Sequence, residues 1–173
     1  MLSKTHQLGG ICSGLVIGTF IFPNPTAPLV WIHGGALLIG ASLGSLIPDI
    51  DHPSSKIGRK VKIASTVINK TMGHRGWTHT LLALILIIGG LFYTLRFITT
   101  CQALYGYWAI GFSIGYISHL ILDAFTVQGI PAFKPFSKKN IAFTKFKTGD
   151  IDRFAQWLIL TGTVFVMYIR YFK

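Results

Sequence analysis

The sequence predicts an all-α protein, a polytopic membrane bundle of about five helices forming one domain over residues 1–173. Three observations carry this. Hydrophobic residues make up 51% of the chain and charged residues only 12%, about half the charged share of a soluble domain. Mean hydropathy is positive, at +0.56. Five apolar stretches, at 8–22, 29–47, 80–95, 103–122 and 154–171, use up most of the length and leave no room for a large soluble domain. Disorder, a coiled coil and an ordinary soluble enzyme are excluded on the same grounds.

The first stretch is short for a span of about 20 residues, so it is expected to tilt or to thin the bilayer locally. Lys4 followed by an apolar run also describes a signal peptide, but no small-residue cleavage pattern follows, so an uncleaved span is expected. Pro23, Pro25 and Pro28 make a tight link to the second stretch. Small residues recur four apart at Gly10, Gly14 and Gly18, at Ala36, Gly40 and Gly44, and at Gly111 and Gly115. That spacing lets helix backbones approach closely and brings helix ends to one point. Cys12 and Cys101 lie within or beside apolar segments without zinc-motif spacing, and read as buried packing residues rather than a disulfide.

Sixteen Lys and Arg face five acids, all of them Asp, for a net charge of +11. Five spans put the N-terminus and both long loops on one side, which then holds thirteen of the sixteen basic residues. By the positive-inside rule that side is cytoplasmic, in a multi-pass protein of the inner membrane with its C-terminus outside.

Placed on this topology, ten of the eleven His and Asp residues fall at the cytoplasmic face, and only His33 falls elsewhere. His6 stands at the mouth of the first span. Asp49, Asp51 and His52 follow the second, between Pro48 and Pro53, which interrupt the helix and let side chains converge. His74, Arg75 and His79 precede the third span, where glycines at 73 and 76 permit tight backbone and a helix N-terminus favours an anion. His119 and Asp123 lie one turn apart on one face at the end of the fourth. An apolar helix carries such a pair at a cost, which a bound metal offsets by making both side chains ligands. The alternative is a His–Asp hydrogen bond that ties helices together. Asp150 and Asp152 read as a helix N-terminus with acids suited to the dipole.

Between 133 and 147, Phe133, Phe136, Phe143 and Phe146 alternate with Lys134, Lys138, Lys139, Lys145 and Lys147. This pattern suits an anionic leaflet, and equally a stacked single-stranded nucleic acid; beside a bundle of spans the lipid reading is preferred.

The motifs Pro48-Asp-Ile-Asp-His-Pro, His74-Arg-Gly-Trp-Thr-His79 and Ser118-His-x-x-x-Asp123, in that order, resemble the YdjM family of small, LexA-regulated membrane proteins described as metal-dependent hydrolases. The resemblance runs from about His6 to Asp123. A more distant likeness is to zinc-dependent phospholipase C and the P1-type nucleases. Their His-x-x-x-Asp motif would correspond to His119 and Asp123, their isolated Asp to Asp51 or Asp49, and their N-terminal His to His6. Those enzymes use a His-x-x-x-Glu for a third metal, and this chain has no Glu, so one or two ions are implied.

The resulting expectation is a membrane-embedded phosphoesterase acting on a phospholipid or lipid phosphate. Asp51, His79, His119 and Asp123 are expected to form the first metal site, with His6, Asp49 and His52 completing a second ion or the outer shell. His74, Arg75 and Asp49 are assigned to acid–base and phosphate contacts. Imidazole and carboxylate suit zinc, and manganese is compatible. The expected partners are membrane lipids and a phosphate-bearing substrate rather than nucleic acid; contact with a regulatory protein is left open. Two other classes compete: a metal-ion or proton carrier, which would distribute its His and Asp through the membrane depth, and a membrane-anchored binding protein using its basic loops.

Overall fold

The computed structural model describes every residue except Pro25, His74, Lys138, Lys145 and Asp150, with Met72 described by its backbone only. The described residues form six α-helices: α1 (Ser3–Ile21), α2 (Pro28–Gly44), α3 (Lys62–Met72), α4 (Leu81–Thr94), α5 (Gln102–Ala124) and α6 (Asp152–Phe172). Two 3-10 turns, Pro48–Asp51 and Trp77–His79, precede α3 and α4. Among the described residues the one β pairing is an isolated antiparallel bridge between Ile130 and Ile141.

All five apolar stretches are helical, and their ends have local causes. Pro28 opens α2, where its missing N–H costs nothing. Thr80 caps α4, its Oγ1 accepting the Ala83 N–H at 3.0 Å. The stretch Pro28–Asp51, α2 with the turn that follows it, is long and apolar enough to cross a membrane, and Leu81–Thr94 is a shorter apolar helix. The basic segment after the second stretch, read from sequence as a loop, contains α3, an amphipathic helix with exposed Ile63 and Val67. Cys12 is buried as expected, but Cys101 is exposed, because it stands in the turn that opens α5; both are free thiols.

α2 packs against both α1 and α5, and α1 also against α5 and α6. The α2–α5 seam is backbone against backbone. A Cβ built on Gly44 would lie 2.0 Å from Phe112 O, and one on Gly111 only 1.9 Å from Leu37 O, so glycine is required at both by proximity alone. Phe112, Tyr116, Leu120 and Ala124 of α5 form the apolar core with Ile130 and Ala132, and α4 lays Leu84, Ile87 and Leu91 on it. The close seam puts the C-terminal ends of α2 and α5 beside the N-terminal turn of α1, and this positions the site.

Candidate metal centre

Six polar side chains from four chain segments meet there: His6 from α1, Asp49 and Asp51 from the first 3-10 turn, His79 from the second, and His119 and Asp123 from α5. His6, Asp51, His79, His119 and Asp123 are almost wholly buried, and Asp49 nearly so. Buried imidazoles and carboxylates at this density require partners or ions.

The inner edges of two rings face each other, with His79 Nε2 3.2 Å from His119 Nε2. Asp123 Oδ2 lies 3.5 Å from the first and 3.7 Å from the second. Asp49 Oδ1 closes the group at 4.0 and 3.8 Å. Ligand atoms around a tetrahedral zinc stand about 3.3 Å apart, which follows from bonds near 2.0–2.1 Å. The His79, His119 and Asp123 atoms fit that spacing, and Asp49 stands slightly outside it.

The outer nitrogens decide what the inner ones present. His119 Nδ1 lies 2.8 Å from Ser45 O, and a carbonyl only accepts, so the proton sits on Nδ1 and leaves the Nε2 lone pair facing inward. His79 Nδ1 lies 3.3 Å from Asp51 Oδ2 and 3.1 Å from Thr78 Oγ1. Thr78 gives its own proton to Asp51 Oδ2 at 2.8 Å, so His79 Nδ1 is a donor as well. The carboxylate–imidazole pair behind a ligand face is the usual outer support of a metal-binding histidine. Burial pushes the His79 pKa down, but its hydrogen bonds to Asp123 and Asp51 more than offset this and hold it above the ordinary histidine value. The pocket therefore attracts a cation, a proton in the first instance.

His6 stacks flat on His119, with ring centroids 3.7 Å apart and planes 17° from parallel. Its Nε2 lies 3.2 Å from Asp123 Oδ1, while its buried Nδ1 has no hydrogen-bond partner among the described residues. Ligand atoms of His6, Asp49 and His119 lie within 4.8 Å of one another, as do those of His79, His119 and Asp123. Both groups could hold a metal ion. Asp123 is the most heavily engaged carboxylate, its Oδ1 also meeting Arg75 Nη2 at 2.9 Å and the Met1 amine at 2.6 Å.

Sequence expectation and geometry divide in three places. Asp49, expected in the second set, is the aspartate that reaches the two Nε2 atoms, and Asp51 stands behind His79. Arg75, expected to grip phosphate, spends Nη1 on Thr126 Oγ1 and Gly129 O, both at 3.0 Å, and Nη2 on Asp123. His52 is partly buried in the turn beyond Asp51, its Nδ1 accepting the Ser54 N–H at 3.2 Å; among the described residues it is not in either converging group. His74 and Asp150 lie outside the described residues. Asp152, expected at a helix N-terminus, does open α6, but it is buried and turned toward α1, where it accepts the Leu2 N–H at 2.9 Å and the Thr5 hydroxyl. His33 packs its ring 4.8 Å from Tyr107, apart from the cluster. Sequence reasoning missed Ser45, Thr78 and Tyr116, whose hydroxyl donates to Thr78 O. The first acts through its carbonyl, and a backbone group carries no residue signature.

Fold and site together define a class: a helical membrane protein with a buried His/Asp cluster able to hold a metal ion. The chain belongs to the YdjM inner membrane protein family, which it matches over residues 1–172. It is 37% identical over 164 residues to the uncharacterized protein YvsG of Bacillus subtilis, covering 94% of this chain and 89% of that one. It is 35% identical over 107 residues to the inner membrane protein YdjM of Escherichia coli, covering 61% of this chain and 50% of that one; the Shigella flexneri protein matches equally. No solved structure matches the chain.

Proposed function

We propose that the chain is a multi-pass inner-membrane hydrolase that uses a bound metal ion to cleave a phosphoester of a phospholipid or lipid phosphate. One observation carries the reading: two buried imidazoles bring their Nε2 atoms within 3.2 Å of each other, with Asp123 Oδ2 3.5 and 3.7 Å away. Two nitrogens so placed share a cation, a proton or a metal ion in its stead, and Asp123 and Asp49 supply the balancing charge. Histidine with carboxylate suits zinc, and manganese is compatible. A divalent ion held here would supply a water acidic enough to attack near neutral pH and a Lewis acid for the phosphoryl oxygen.

The chain's own residues divide the remaining work. His79, His119 and Asp123 hold the ion, and His6 stands ready for a second ion or as outer support. Asp51 and Ser45 O fix the two ligand rings in one tautomer. Asp49 has a side chain 13% exposed against 0–1% for His79, His119 and Asp123, so it is the carboxylate placed to take a proton at the substrate side. Arg75 braces Asp123 rather than gripping substrate. In the proposed topology α1, α2, α4, α5 and α6 each cross the membrane, with the N-terminus and the site at the cytoplasmic face. α4 has 14 residues and is about 21 Å long, so it requires local thinning of the bilayer.

The test is metal analysis of detergent-purified protein, wild type beside His119→Ala/Asp123→Ala, followed by phosphate release from phosphatidic acid and headgroup release from phosphatidylglycerol. One or two tightly held transition ions in the wild type, lost in the double variant together with turnover, are expected. A wild type that stays metal-free after zinc and manganese are offered overturns the reading.

A further inference from the structure

Between α5 and α6 the chain makes a long excursion that the hydrolase reading does not use. It is folded, not slack. Val127 N–H donates to Phe146 O at 2.9 Å, Phe143 N–H to Ala124 O at 2.7 Å, and Ile130 and Ile141 exchange both backbone bonds at 3.0 and 2.8 Å. Asn140 Nδ2 reaches Gln128 O at 2.9 Å, and Ala132 O accepts the Leu81 N–H at 2.9 Å, which ties the excursion to the start of α4. Its inner side is apolar in the ordinary way, with Ile130 and Ala132 buried in the core.

The outer side is not ordinary. Phe133, Phe136, Phe143 and Phe146 are all exposed, Phe136 to 89%. A chain hydrogen-bonded at this many points has not lost its rings to solvent by unfolding; they are held outward. Lys134 and Lys139 stand between them and Lys147 just after the last, with Lys139 and Lys147 exposed. The sequence from 124 to 149 contains five lysines and no acid at all. Rings with ammoniums and no compensating carboxylate match a layer that is apolar beneath and negative on top.

We propose that the segment 125–147 rests on an anionic lipid leaflet, with Phe133, Phe136, Phe143 and Phe146 in the acyl boundary and Lys134, Lys139 and Lys147 among the headgroups. The proposal rests on the chain's place in an inner-membrane family and is independent of the hydrolase reading. The excursion leaves α5 two residues after Asp123, so this plate lies at the same end of the bundle as the metal centre. Thr126 and Gly129 at its base hold Arg75, and through it Asp123.

The experiment uses the full chain with Cys101→Ala and Phe136→Cys, a nitroxide at position 136, reconstituted into vesicles; Cys12 is buried and takes no label. Collisions with oxygen and with a water-soluble nickel chelate are compared in vesicles rich in phosphatidylglycerol and in pure phosphatidylcholine. The expected result is a label shielded from nickel and open to oxygen in the anionic vesicles, with shielding lost in the neutral ones. Adding Lys134→Glu, Lys139→Glu and Lys147→Glu should abolish the shielding in the anionic vesicles as well, since each lysine contributes about fivefold to surface affinity. The lipid comparison needs no charge variant, so a misfolded triple variant leaves the test intact. A label equally open to nickel in both vesicles overturns the proposal. So does a label immobilised by a single-stranded oligonucleotide and indifferent to lipid charge, which would assign the surface to nucleic acid.

Discussion

The α1–α2–α5 trio and the flanking helices α4 and α6 are built on opposite principles. In the trio, polar groups go inside: His6, Thr5, His119 and Asp123 are fully buried, and the seam is lined by glycine. α4 has no buried residue, and α6 only Asp152, Ala155 and Thr163, while Ile85, Leu86, Leu158, Val164 and Phe165 face outward. Lipid is as apolar as leucine, so burying leucine gains nothing there and backbone proximity with satisfied polar groups holds helices together instead. The trio therefore positions His6, His119 and Asp123, the two 3-10 turns bring Asp49, Asp51 and His79 to them, and the flanking helices leave most of their apolar side chains exposed.

The sharpest way to break this contrast is at the seam. Gly111→Val puts side-chain atoms onto Leu37 O and should cost more than about 4 kcal/mol, enough to leave no monodisperse protein by size exclusion. A normally folded variant would show that the backbones are not in contact. Next is the proposed metal centre. His79→Ala should abolish metal retention, whereas Asp51→Asn, behind the ligand ring, should weaken affinity about 10–100-fold as read by competition with a chelator. Equal losses would make Asp51 a direct ligand.

A smaller effect is expected where α6 joins the trio. Burial raises the Asp152 pKa, but the Thr5 hydroxyl and the Leu2 and Gly149 N–H groups outweigh it and hold the carboxyl below its usual range. A carboxyl lowered in the folded protein contributes stability that is fully present above its unfolded value, about 3.9, and is lost as pH falls through the lowered one. Asp152→Asn should thus melt lower than wild type at pH 7, with the gap closing under strong acid; a gap constant with pH removes the ionised carboxylate from the account. Smallest of all, Gly162→Ala in α6, where an added Cβ meets nothing within 4 Å, should stabilise by about 0.5–1 kcal/mol. Destabilisation would mean that the face of α6 at Gly162 is itself packed against a partner.

The helices were legible because their apolar runs are long, and the polar cluster because so few acids and histidines had to be placed. Five of the expected ligands, His6, Asp49, His79, His119 and Asp123, do converge. The choice between Asp49 and Asp51 was not legible, since a 3-10 turn sends residues two apart in directions that hydropathy does not encode. Arg75 was misread for a related reason: its φ of +53° turns it toward Thr126 and Asp123, and nothing in the side chain's identity announces a left-handed backbone. α3 escaped because its 11 residues are basic and amphipathic and raise no apolar signal.

The contact between Ser45 O and His119 Nδ1 crosses the same seam that Gly44 and Gly111 keep tight. The separation of two helices thereby determines which ring nitrogen carries the proton. Widen the gap by one methyl group and the carbonyl withdraws, the ring is free to exchange tautomers, and its inner lone pair is no longer guaranteed. The bundle works as a caliper, converting a mechanical dimension into the protonation state of a single atom.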